Sequence, residues 1–143
     1  MDLFTIITHS RHTLTGTYAA RILLPFIPLE KRGLLLRIVL AASLLYYVAR
    51  GRPLIQPEKL PTTPYSWEVI AEKTWKDEDL HVPKVVRALK TIAVDYGEMD
   101  EELARNAAGL VVREKVEKGR KWSMYGHGFD EAWEADLNNV VMG

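Results

Sequence analysis

Four histidines and no cysteine bound the chemistry open to this chain of 143 residues. His9 and His12 stand one helical turn apart, which puts two imidazoles on one helix face, but two ligands do not hold a metal. Glu78 and His81 form a single ExxH in DEDLHVP. Di-metal helical bundles need that motif twice, with further carboxylates, so it reads as a solvated acidic turn. His127 lies in KGRKWSMYGHGF, a segment that mixes Lys118, Arg120 and Lys121 with Trp122, Tyr125 and Phe129. Its glycines suit a hinged loop around a histidine base, and its basic and aromatic residues suit nucleic acid. Neither pattern is specific. No GxxxxGK[ST] or GxGxxG occurs, and a net charge of zero argues against nucleic acid as a partner. Ser10, Ser43, Ser66 and Ser123 lie in no nucleophile elbow. The missing cysteines remove thiolate metal sites, disulfides and cysteine nucleophiles together. The residues therefore predict no catalytic group, no metal and no cofactor.

The elements that would position any site begin with Leu34 to Ala49, LLLRIVLAASLLYYVA, fenced by Lys31, Arg32, Arg50 and Arg52. Sixteen residues at about 1.5 Å each reach roughly 24 Å, short of a hydrocarbon core of about 30 Å. Arg37 lies one turn from the start, within snorkelling reach of headgroups, and Tyr46 and Tyr47 lie near the other end, where interfacial aromatics belong. The stretch predicts a short membrane-anchoring helix through Leu34, Leu35, Leu36, Ile38, Val39, Leu40, Leu44, Leu45, Tyr46 and Tyr47. A buried helix at the centre of a soluble bundle would satisfy the same hydrophobicity. The apolar core begins too late for a secretory signal. Residues 1–59 carry eight Lys/Arg against Asp2, Glu30 and Glu58, and the remainder is acidic by the same margin. An anionic membrane surface or a mitochondrial import pathway favours such a basic first part.

Residues 3–24 predict a first helix, with an interruption near Gly16, and Pro25 and Pro28 break the pattern after it. Prolines at 53, 57, 61 and 64 then make an extended connector suited to lie as a strap across another surface. Four amphipathic helices follow. Trp67, Ile70, Ala71, Thr74 and Trp75 recur at helical spacing behind a Ser66 cap. Val85, Val86, Leu89, Ile92, Ala93 and Tyr96 form a stripe opened by Pro83 and closed by Gly97. Leu103, Ala107, Leu110, Val111 and Val112 continue behind an Asp100 cap. Phe129, Ala132, Trp133, Leu137, Val140 and Val141 make a last short helix. The exposed face Lys84, Arg87, Lys90 reads as solvated.

The fold class is all-α, in three parts: a hydrophobic basic N-terminal helical and anchor region (1–52), a proline-rich connector (53–65) and a helical C-terminal region (66–143). These features predict a non-catalytic accessory subunit of a larger membrane complex, in an energy-transducing membrane such as the mitochondrial inner membrane and its respiratory chain. Its partners would be lipid and other subunits, met through Trp67, Trp75, Trp122, Tyr125, Phe129 and Trp133. The alternative is a small helical enzyme or binding protein with an apolar ligand pocket, using His81 or His127 as acid/base with Glu78, Asp130 or Tyr125 beside it. A soluble helical interaction module is the third reading.

Overall fold

Helical periodicity dominates the chain because its apolar residues recur every three to four positions rather than alternating. The computed structural model describes residues 3–49, 52 and 54–122, and among these five α-helices and no strand occur. Two compact units result, one built on residues 55–122 and the other on residues 8–54.

Helix α1 (Leu3–Leu23), which lies mostly in the second of these, runs unbroken through Gly16. The interruption expected there is absent; the Thr15 hydroxyl donates back to the Arg11 carbonyl at 2.8 Å, satisfying itself within the helix. A short 3-10 turn at Leu24–Phe26 carries Pro25, and α2 (Leu29–Ala49) starts directly after Pro28. That start is five residues earlier than the apolar stretch alone predicts. Arg32 explains part of the geometry: its Nε donates to the Ile27 carbonyl at 2.9 Å and its guanidinium reaches the Pro25 carbonyl at 3.3 Å, tying the turn to the helix. None of the α2 residues is buried.

The other unit holds the core. Ser66 accepts from the Val69 amide and caps α3 (Trp67–Thr74), as its position predicts. Helix α4 (His81–Tyr96) ends at Gly97, whose φ of 95° is a conformation side chains resist. Helix α5 (Glu98–Val111) begins immediately, with Gly97 rather than Asp100 at its N-cap. The two helices thus share one glycine, and the expected Asp100 cap falls inside the first turn. Helix α5 packs most extensively on α4, and α3 touches both. Ala88, Ala93, Ala104 and Ala108 are buried, and their small side chains allow close helix approach. Ile70, Val82, Val85, Val111 and Val112 are fully covered, each contributing about 1.5–3 kcal/mol by leaving water.

Beyond Val111 the helix widens into a π-turn, Val112–Glu117. Such turns are rare and cluster at functional sites. The proline-rich connector ends as an extended segment at residues 60–65 on α5: the Thr63 amide donates to Asn106 Oδ1 at 2.9 Å, and Thr63 lies directly over Gly109. The predicted helix at 129–141 lies outside the described residues.

Candidate functional site

Two polar clusters in the 55–122 unit meet at the π-turn. The first surrounds His81, the opening residue of α4. Asp79 holds it twice, since Oδ1 accepts the His81 backbone amide at 3.0 Å and the ring Nδ1–H at 2.8 Å. A carboxylate only accepts, so Nδ1 must donate, and in the neutral ring the lone pair then sits on Nε2. Lys115, from the π-turn, reaches Asp79 Oδ2 at 3.5 Å. The Asp79 amide in turn donates to Asp77 Oδ1 at 2.8 Å, so the 77–81 loop is fixed from several directions. Burial works to raise the Asp79 carboxyl, but the hydrogen bonds from His81 and the charge of Lys115 outweigh it and hold the group below its ordinary value. The His81 side chain is 41% exposed, within reach of a ligand from solvent.

The second cluster centres on Glu117. Its Oε1 accepts the Tyr65 hydroxyl at 2.8 Å and Lys73 Nζ at 3.0 Å. The hydrogen bond to Glu117 raises the Tyr65 phenol, and the same bond is the main reason Glu117 lies below the usual carboxylate range. Tyr65 and Glu117 edge a cleft of about 130 Å³ that Pro61, Pro64, Leu110 and Arg113 also line. Ligand pockets for drug-sized molecules run to about 300–1,000 Å³, so this recess admits a small group rather than a whole organic substrate.

Between the clusters, Glu114 is 7% exposed and receives Arg113 Nε at 2.8 Å, Lys118 Nζ at 2.9 Å and Arg120 at 3.2 Å. Burial pushes its carboxyl up, and the three cations more than reverse this, leaving it lowered. The π-turn therefore sends Lys115 to one cluster and Glu117 to the other, and pins itself through Glu114.

Of the residues singled out by sequence, His81 enters the first cluster, and Lys118 and Arg120 meet on Glu114. The ExxH spacing points to Glu78; the carboxylate seated on the ring is that of Asp79, two residues away. Trp67 donates to Glu101 Oε1 at 2.8 Å and lies under Lys90 at 4.7 Å, so it is engaged within its own unit. Trp122 is buried, with Lys115 at 5.9 Å from its ring. Trp75 is 64% exposed, with Lys76 over its ring. The side chains of His9 are not among those described, and Tyr125, His127, Phe129, Asp130 and Trp133 lie outside the described residues. Among the described residues no three His, Asp or Glu side chains come together as a metal site. Tyr65, Lys73, Arg113 and Glu117 carried no sequence signal, because the Tyr65–Glu117 pair spans 52 positions.

A family model, questin oxidase-like, matches residues 8–89, more than half of the chain. The chain belongs to the questin oxidase-like family. The matched segment contains most of α1, all of α2 and α3 and the first half of α4, and with them Tyr65, Lys73, Asp79 and His81. No curated protein and no solved structure matches the chain. Membership in a family named for an oxidase overturns the expectation of a non-catalytic accessory subunit in a mitochondrial respiratory complex. That expectation arose because the sequence lacks a compact catalytic motif and has an apolar N-terminal half, features that do not exclude an oxidase-like protein. The alternative, a small helical enzyme or binding protein with an apolar ligand pocket, fits the questin oxidase-like family better.

Proposed function

We propose that this protein is an enzyme that oxidises an organic substrate, with His81 as its proton-transfer group and Asp79 as the residue that orients it. The observation that carries this reading is the Asp79–His81 pair, at 2.8 Å, inside the segment that matches the questin oxidase-like family. Removing electrons from an O–H or C–H bond also releases a proton, and a base held at that bond lowers the barrier. With Nδ1–H committed to Asp79, Nε2 is the ring atom assigned to take the substrate's proton. When the ring takes the proton, the carboxylate stabilises the resulting imidazolium, and Lys115 keeps Asp79 turned toward it. The two electrons pass to dioxygen, the co-reactant whose consumption the test follows, and with the two protons lost from the substrate, one of them by way of His81, they leave as hydrogen peroxide.

The family name offers questin as the first substrate to try. The test follows oxygen consumption and product formation by the full chain with questin, for the wild type and for His81→Asn. Turnover by the wild type that falls steeply in the variant supports the assignment. A folded wild type that oxidises nothing overturns the oxidase reading, and full activity in His81→Asn removes His81 from it.

A further inference from the structure

Helix α2 presents an apolar surface that its own unit leaves uncovered. Among the described helices it alone has the length and apolarity to cross a membrane, and none of its residues is buried. A core helix of a soluble protein passes the same composition test but is enclosed by its neighbours. Leu36, Leu40 and Leu45 are instead 54%, 60% and 70% exposed.

What covers such a helix can be read from where its apolar residues point. A helix that docks on one partner carries a single apolar stripe, with polar residues opposite. At 3.6 residues per turn, Leu34, Leu35, Leu36 and Leu44 fall in four different quarters of α2. One flat protein partner would leave most of that circumference in water, whereas lipid meets every side. The polar groups agree. The Ser43 hydroxyl donates to the Val39 carbonyl at 2.8 Å, so it is satisfied inside the helix, as hydrocarbon requires. Lys31 and Arg32 stand at one end and Arg52 just past the other, where cations meet headgroups. Tyr46 and Tyr47 occupy the last turns, at the depth that aromatic side chains favour.

We propose that α2 is embedded in a lipid bilayer, with its basic ends at the headgroups. Gly33 to Ala49 reaches about 25 Å, against a hydrocarbon core of about 30 Å. Local thinning of the bilayer and snorkelling of Arg37 close that gap. The inference is independent of the oxidase reading: a lipid-seated helix serves any chemistry carried by the 55–122 unit.

Vesicle flotation of the full chain tests it. Vesicles of phosphatidylcholine, with and without phosphatidylglycerol, are floated through a density gradient, then washed with high salt and with alkaline carbonate. The wild type is expected to float with both compositions, to survive both washes and to leave only with detergent. Leu40→Asp and Leu45→Asp place a charge in mid-helix and are expected to cut the floated fraction at least tenfold. Circular dichroism and thermal unfolding of each variant check that the 55–122 unit still folds; a variant that fails this check is replaced by the other. Three results overturn the proposal: a wild type that stays at the bottom as a monodisperse monomer, binding that salt alone removes, or a vesicle-free dimer that the aspartate variants dissociate. The last would assign the helix to a second copy of the chain.

Discussion

Thr63 and Gly109 meet so closely that a methyl group on Gly109 would overlap the Thr63 hydroxyl and Cβ. The extended segment before Tyr65 is therefore seated on α5 by the absence of a side chain. Ordinarily, Gly to Ala within a helix gains up to about 1 kcal/mol. Here Gly109→Ala should instead destabilise the 55–122 unit by about 1–3 kcal/mol, the usual cost of overpacking. Chemical denaturation reads the difference. Adding Thr63→Gly should recover part of the loss, because it removes the overlapping atoms, so the double variant will not be additive.

Glu114 gives a second stability prediction. It is buried under Arg113, Lys118 and Arg120, and Glu114→Gln leaves three cations around a neutral amide. A lost charge-assisted hydrogen bond costs about 2 kcal/mol, which is the expected deficit at neutral pH. The pH dependence has a defined sign. The Glu114 carboxyl is lowered in the folded protein, so its stabilisation is complete above the unfolded value near 4.3 and disappears as pH falls through the lower folded value. The gap between wild type and Glu114→Gln should therefore close in acid below about pH 4. A gap that stays constant down to acid would show that the carboxylate charge is not what stabilises the turn.

Local pattern made the helices legible, and distance hid the site. The stripe from Val85 to Ala93 and the Ser66 cap depend on residues within a turn or two, so the sequence displays them directly. Gly97 and Asp100 compete for the same helix start, and the choice follows from the tight α4–α5 junction, which composition does not show. The continuous α1 fails the expectation at Gly16 because an isolated glycine lowers propensity without forcing a break. His81 was visible as a candidate, but its orienting partner was not, since ExxH spacing draws attention to Glu78 while the loop turns Asp79 onto the ring. Lys115 and Glu117 reach their clusters only because the chain after Val111 winds as a π-turn, a local anomaly no periodicity announces.

Tyr65 offers a spectroscopic prediction. Its hydroxyl donates to Glu117, and that bond raises the phenol above its ordinary value near 10. Because the folded value is raised, the contribution of this bond is intact below pH 10 and is lost as pH climbs through the folded value. Absorbance titration of the six tyrosines should show a late-ionising component. Tyr65→Phe should remove it, and Glu117→Gln should move it back toward the ordinary range. A titration curve unchanged by Glu117→Gln would mean that the pair does not form in solution.

His81 and Asp79 make the sharpest kinetic pair. A positioned acid/base group contributes about 10²–10⁴-fold to a rate, so His81→Asn should lower kcat by that order. The side chain is half exposed, so stability should stay within about 0.5 kcal/mol. Asp79→Asn keeps the shape of the loop but replaces an acceptor carboxylate with an amide that can offer N–H to the ring. It should reduce kcat by about 10-fold or more, because the ring loses both its fixed tautomer and the charge that stabilises its protonated form. Since the Asp79 carboxyl lies below its ordinary value in the folded protein, it is ionised throughout the neutral range, and its own protonation contributes nothing to the wild-type rate profile there. Only below about pH 4, as the carboxylate begins to protonate, should the wild type fall toward the variant. Equal rates for the wild type and Asp79→Asn at neutral pH would show that Asp79 does not act through the ring it is seated against.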